Sequence, residues 1–280
     1  MADSVDPAYV TARRALLDVL DVLGPHLKSV ILVGAQAIYI HTGEAEFAVS
    51  PFTYDADLVI DPKQLADSPK LVALMQVARF SLADQPGLYR RTLDGAQVDL
   101  LVPAALGGSG RRGARLGPQG NRAAMKVRGL EGALVDHAPV QVESLDEDDH
   151  RVHTIEVAGP SALLVSKVLK VAERVQGTQQ RRDDKDSFDV FRLLRAVQTS
   201  EFTAGLNLLL SDDLSSDVTG EAIEAFKGLF GDAASAGVRM AVSHVRGIEP
   251  EDTISASCVA LSQDLLRSLQ TWGIRGDHTD

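Results

Sequence analysis

The sequence has one cysteine and one tryptophan, and all its aromatic residues together make up 5% of its 280 positions. A single cysteine cannot form an internal disulfide. The setting of Cys258 in SASCVALSQ predicts a small buried helix residue, not a reactive thiol. No apolar run is long enough to span a bilayer. The opening, MADSVDPAYVTARRALLDVLDVLG, interrupts its apolar positions with acidic ones, which predicts an amphipathic helix where a signal peptide would need a continuous apolar core. These absences predict a cytoplasmic protein with no membrane partner. Positive charge is also scarce: 28 Lys and Arg stand against 39 Asp and Glu, a formal net charge of −11. Such an average surface repels a polyanion, which argues against broad non-specific binding to nucleic acid, though a local patch can override the average. The seven histidines show no metal-ligand spacing, no Gly-Lys-Ser/Thr closes a Walker A loop, and no repeat or low-complexity tract is present.

What is present is ordinary for a globular chain, 45% hydrophobic and 24% charged, and sufficient for one large domain or two modest ones. The chain is organised around ILVGAQAIYIHTGEAEFAVSPFTYDADLVID, residues 31–61. Ile31, Leu32 and Val33 predict a buried strand, Gly34 a sharp turn, and Ala35–His41 a short helix whose first N–H groups face that turn. A second strand follows, opened by Asp55 and Asp57, which are two apart and so point to one side. The glycine turn and the two aspartates can then share one end of adjacent strands, with a site for an anion beside a site for a cation.

The remaining segments read in order. Residues 8–28 form an amphipathic helix stopped by Gly24-Pro25, and residues 62–83 a helix presenting Leu65, Leu71, Leu74, Met75 and Ala78. Tyr89–Leu93 and Gln97–Val102 are strands joined at Asp94-Gly95, the second carrying Asp99 among apolar residues. Taken alone, Asp99 is a strand-edge carboxylate facing solvent. From Leu100 to Leu130 there is no acidic residue, while Arg111, Arg112, Arg115, Arg122, Lys126 and Arg128 accumulate among glycines. This predicts a mobile cationic loop, either balancing an acidic protein or contacting phosphate. Pro139–Leu145 and Arg151–Ala158 are strands around a solvated acidic turn. Pro160 opens a helix with Leu164, Val168, Val171, Ala172 and Val175 on one face and Lys167, Lys170 and Arg174 beside it. A further helix contains Lys185, Asp186 and Asp189, held by Phe188, Val190, Phe191, Leu193 and Leu194; Asp184 or Asp186 could serve as its cap. Beyond residue 200 there are helical patterns broken at SDDLSSDVTG, GDAASAG and RGIEPED, with Trp272 expected to dock the last helix.

The strand, glycine turn and helix followed by Asp-x-Asp resemble the nucleotidyltransferase superfamily, and the wording LVGAQAIYIHTG with T-x-D-x-D is most similar to its AbiEii group of toxin-type and other minimal bacterial enzymes. The resemblance covers roughly residues 30–195. It implies an α/β (α+β) nucleotidyltransferase fold, a mixed sheet flanked by helices, with a core over residues 1–158 and a helical region over 159–280. It also implies that Asp99 is the third carboxylate beside Asp55 and Asp57, the three holding Mg2+ or Mn2+. Nucleotide binding falls to Gly34, Ala35, Gln36, Lys167, Lys185, Asp186 and Asp189. Ala35 stands where glycine or serine is common, so the missing hydroxyl donor falls to Gln36 and the backbone amides. The implied activity moves a nucleoside monophosphate from a nucleoside triphosphate to an acceptor hydroxyl, with the 3′ end of an RNA as one acceptor and an antitoxin as one partner. Two other readings are a glycosyltransferase using Asp-x-Asp for a metal, and a non-catalytic nucleotide-binding or regulatory protein that keeps the fold.

Overall fold

The computed structural model describes residues 5–43, 52–177 and 184–276, with side chains as far as residue 270. The expected docking of Trp272, and the middle of the loop expected before Asp55, lie outside the described residues.

Helix α1 (Pro7–Leu23) starts with Asp6 accepting from the Ala8 amide at 2.7 Å and Pro7 in the first turn, where its missing N–H costs nothing. It stops at Gly24, as Gly24-Pro25 predicts, and a 3-10 turn over Gly24–Ser29 leads into strand β1 (Val30–Val33), buried along its whole length. Helix α2 (Gly34–Thr42) follows without a linker, and β2 (Asp55–Ile60) runs back antiparallel to β1. The expected helix over 62–83 is reduced to α3 (Leu71–Val77). The reason is Pro69: it forces Ser68 away from the helical region and cannot donate a helix hydrogen bond. Leu71, Met75 and Ala78 are nonetheless buried as expected.

Short β3 (Ser81–Leu82) and β4 (Leu88–Arg90) precede β5 (Gln97–Pro103), which pairs antiparallel with β4 through the Asp94-Gly95 connection and parallel with β2. Strand β6 (Met125–Val127) pairs with the far end of β5. Strands β7 (His137–Glu143) and β8 (Val152–Ala158) form the expected hairpin, β8 lying parallel to β1. The mixed sheet therefore runs β3-β4-β5-β2-β1-β8-β7, with β6 attached to β5. The acidic turn of the hairpin is less solvated than expected. Asp149 pairs with Arg151 at 2.7 Å, Arg151 also reaches Asp18 and Asp21 at 2.8 Å, and Asp146 pairs with Arg14, so the hairpin is tied to α1.

Six helices complete the described residues: α4 (Pro160–Gln176), α5 (Lys185–Ala196), α6 (Thr199–Leu210), α7 (Ser216–Phe230), α8 (Ala236–His244) and the long α9 (Glu251–Gly276). Their breaks fall where the polar and glycine-rich segments predict. Leu164, Val168 and Val171 of α4 are buried, whereas Val175, expected on the same face, is 47% exposed because it lies in the last turn beyond the packing surface. Cys258 is buried on α9, and burial pushes its thiol up to about 12, as suits an inert core residue. Among the described residues no helix is long and apolar enough to cross a membrane. The decisive packing for the site is α2 against β1 and β2 on one side and α4 and α5 on the other.

Candidate active site

Because β1 and β2 are antiparallel, the last residue of β1 meets the first half of β2: Val33 is the register partner of Asp57. Because β2 and β5 are parallel, Asp57 is in turn the partner of Asp99. Asp55 and Asp57, two apart, share a face with Asp99 on the next strand. The first three residues of both strands alternate, half-buried Asp55 and Asp57 around buried Ala56 and half-buried Gln97 and Asp99 around buried Val98. One carboxylate oxygen from each of Asp55, Asp57 and Asp99 falls within 4.8 Å of the others.

Gly34 makes this possible. Its φ of +70° belongs to the left-handed region, and a Cβ there would sit 1.9 Å from Asp57 Oδ2. Two supports are not evident from the sequence pattern. Buried Thr53 donates to Asp55 Oδ1 at 2.6 Å, and Gln97 Nε2 donates to Asp99 Oδ1 at 3.2 Å. The i, i+2 spacing of Thr53 with Asp55 and of Gln97 with Asp99 is the signal that could have found both. The approach to β2 is fixed by Tyr39 of α2, whose hydroxyl donates to the Phe52 carbonyl at 2.8 Å.

The electrostatics follow from crowding. Burial and the charge of Asp55 raise Asp57 to about 6; burial and the charges of Asp57 and Asp55 raise Asp99 to about 8. Cations oppose this at Asp57, Lys170 more than Lys167 and Lys185, so the α4–α5 side faces the carboxylates. Three half-buried, mutually repelling oxygen donors fit a hard divalent cation, which relieves the repulsion and is held by carboxylates.

The structure brings Lys167, Asp186 and Asp189 together, but as a closed ion cluster. Lys167 Nζ donates to Asp186 Oδ1 at 2.6 Å and to Asp189 Oδ2 at 2.7 Å, and all three residues are buried. Burial works against the Lys167 charge, yet Asp189 and Asp186 outweigh it and hold the ammonium above the usual lysine range. Burial likewise opposes ionisation of Asp186, and Lys167, Lys170 and Arg174 reverse it, holding that carboxyl well below its usual range. Lys170 lies 3.8 Å from Asp186 with its side chain 55% exposed, so it offers the more accessible ammonium. Lys185 Nζ lies over the Tyr39 ring, 6.0 Å from its centroid. Asp184 occupies the cap position of α5 without a side-chain capping bond.

Two expectations need correction. Gln36 was expected to give its side chain to phosphate; instead it is buried, accepts from Arg13 Nε at 2.9 Å and donates to the Asp55 carbonyl at 3.0 Å. Its amide fastens α1 and α2 to β2, and Ala35, also buried, leaves only its backbone amide for a ligand. The cationic stretch after Asp99 is not a free loop. Ala114 N bonds Ala124 O at 2.9 Å, Arg115 N bonds Gly107 O at 2.9 Å, and Lys126 N bonds Arg112 O at 2.7 Å. Lys126 Nζ donates to the Gly108 carbonyl at 2.8 Å and to the Gly110 carbonyl, and Arg128 pairs with Glu221. His26 and His41 bond the Pro69 and Ala158 carbonyls at 2.8 Å, and among the described residues no histidine joins the group formed by the three carboxylates.

A sequence model of the family described as Nucleotidyltransferase matches residues 12–209, well over half of the chain. The chain belongs to this nucleotidyltransferase family. The match includes every residue placed around the three carboxylates, and it extends beyond the resemblance to include Arg13 of α1. No curated protein matches the sequence. Among solved structures, an antigenic nucleotidyltransferase-like protein from Paracoccidioides brasiliensis is similar at 16% identity with a TM-score of 0.40, over 78% of this chain and 94% of that one. As a nucleotidyltransferase, the chain has the mixed sheet, the glycine turn and the acidic group at one end of β1, β2 and β5.

Proposed function

We propose that the protein transfers a nucleoside monophosphate from a nucleoside triphosphate to an acceptor hydroxyl, with Asp55, Asp57 and Asp99 as its catalytic and metal-holding residues. The observation that carries this reading is the convergence of the three carboxylates beside Gly34, within 4.8 Å of one another. Mg2+ or Mn2+ held there would neutralise the triphosphate and acidify the acceptor hydroxyl. The amides of Gly34, Ala35 and Gln36, at the start of α2, have no partner within their own helix and would be the donors for a phosphate of the nucleotide.

In the reaction, a bond forms between the acceptor oxygen and the α-phosphorus, the bond from that phosphorus to the β-phosphate oxygen breaks, and pyrophosphate leaves. Asp99, two strands from β1, stands on the acceptor side and takes the hydroxyl proton. Lys170 offsets charge on the triphosphate. Lys167 acts through others, holding Asp186 and Asp189 and so fixing α5 against α4. Lys185, beside Tyr39, stands near the nucleotide side. Most of the rate enhancement then comes from positioning and electrostatics.

Membership of the AbiEii group, an RNA acceptor and an antitoxin partner rest on the sequence resemblance. The test is incubation with each α-labelled nucleoside triphosphate and Mg2+ in a cell lysate, scoring pyrophosphate release and the class of molecule that becomes labelled. Label transferred by the parent and not by Asp57→Asn supports the reading. Nucleotide binding without transfer to any acceptor would favour the non-catalytic alternative.

A further inference from the structure

On the far flank of β5 from Gly34 lies a cavity of about 800 Å³ lined by Arg111, Arg112, Arg115 and Arg122, with Ser109 and Asn121. Its wall joins the strand that carries Asp99: Gly87 N bonds Arg122 O at 2.9 Å, and Leu100 N bonds Gly87 O at 2.8 Å. Among the described residues, the side chains of Arg111, Arg112 and Arg115 have no carboxylate or carbonyl partner. Other exposed arginines of this acidic protein do face carboxylates, including Arg14, Arg128 and Arg246. The backbone bonds within residues 107–126 fix the main-chain positions that carry these arginines before any ligand arrives, so only their side chains remain to be ordered on binding. Arg122 donates through Nη2 to the Ala83 and Asp84 carbonyls at 2.9 and 3.0 Å, which leaves its other donors directed elsewhere.

We propose that this cavity binds successive phosphates of a nucleic-acid strand. Guanidinium groups take phosphate oxygens in pairs, and four of them around one cavity exceed what a single phosphate can engage. The triphosphate side of the site is at Gly34, α4 and α5, two strands away. Phosphates held beside Asp99 therefore belong to the acceptor, an assignment that rests on the proposed transfer reaction, whereas the binding itself does not. The net charge of −11 confines the interaction to this patch.

The test uses the full chain and a labelled twelve-nucleotide single-stranded RNA, without metal or nucleoside triphosphate, titrated by fluorescence anisotropy across a salt series. Three or four phosphate contacts predict a log–log salt slope of about −2 to −3. Arg111→Ser/Arg112→Ser/Arg115→Ser should weaken binding by at least about tenfold at unchanged melting temperature, and the matching triple lysine variant, which keeps the charge without the paired donors, should recover only part of it. Inorganic pyrophosphate should compete far less well than unlabelled RNA. Competition as strong as that of RNA would identify a site for free polyphosphate and overturn the strand. Binding that the triple serine variant leaves intact, or no salt-dependent binding by the parent, overturns the proposal altogether. Loss of nucleotidyl transfer in other assays would leave it standing, since no transfer is measured here.

Discussion

Gly34 and Asp57 approach so closely that a Cβ on the first would lie 1.9 Å from Oδ2 of the second. The glycine thus sets both the turn into α2 and the position of a carboxylate on the neighbouring strand. Gly34→Ala should cost about 1–2 kcal/mol for the left-handed backbone and displace Asp57, lowering transfer by roughly 100-fold. Gly43→Ala is the control: its φ is also positive, at +65°, but a Cβ there meets nothing within 4 Å among the described residues. It should lose stability to a similar degree and keep its turnover. Equal activity losses in the two variants would show that the contact with Asp57 is not what matters.

Removing Lys167 and Lys170 should have different consequences. Lys167→Met takes the shared ammonium from buried Asp186 and Asp189, of which Asp186 keeps Lys170 and Arg174, so unfolding free energy should fall by about 3–5 kcal/mol. Lys170→Met, at an exposed position, should leave the melting temperature nearly unchanged and raise the nucleoside triphosphate concentration needed for half-maximal rate. Denaturation and steady-state kinetics on the two proteins separate the roles. A stable Lys167→Met variant would contradict the ion cluster.

Asp55, Asp57, the glycine turn and the strands beneath them were legible in the sequence because each depends on residues close together in the chain. Two-residue spacing puts Asp55 and Asp57 on one face, whereas Asp99 joined them only through the family resemblance, because its place opposite Asp57 depends on the parallel pairing of β5 with β2. The actual partners of Lys167 and Gln36 were less legible, since they depend on how helices pack. Whether the Lys167 ammonium meets a phosphate or Asp186 is decided by α4 against α5. The commitment of Gln36 to Arg13 is decided by α1, which lies outside the motif. The strands β3 and β6, of two and three residues, are too short for an alternating pattern to register.

Crowded carboxylates also predict a pH effect. In the folded, metal-free protein Asp57 and Asp99 are raised to about 6 and about 8. Between the ordinary Asp range and those values the folded state holds more protons than the unfolded one, so stability falls as pH rises. Melting temperature in chelator should therefore drop from pH 5 to pH 8, and Asp99→Asn should flatten the drop. Added Mg2+ should restore stability at pH 8. A melting temperature that rises over this interval in chelator would contradict the mutual repulsion.

Asp99 is expected to matter for transfer more than for nucleotide binding, because Asp55 and Asp57 stand nearer Gly34 and α2. Calorimetry on Asp99→Ala should show triphosphate affinity within about threefold of the parent, a difference below 1 kcal/mol. Pyrophosphate release should be lost. Parallel loss of both would place Asp99 on the nucleotide side.

The most direct measurement is anomalous diffraction from crystals grown with Mn2+ and a non-hydrolysable nucleoside triphosphate. The proposed site predicts anomalous density among the carboxylates of Asp55, Asp57 and Asp99, with the triphosphate extending toward the Gly34 turn. Density elsewhere, or nucleotide bound with no metal at these three residues, would contradict it.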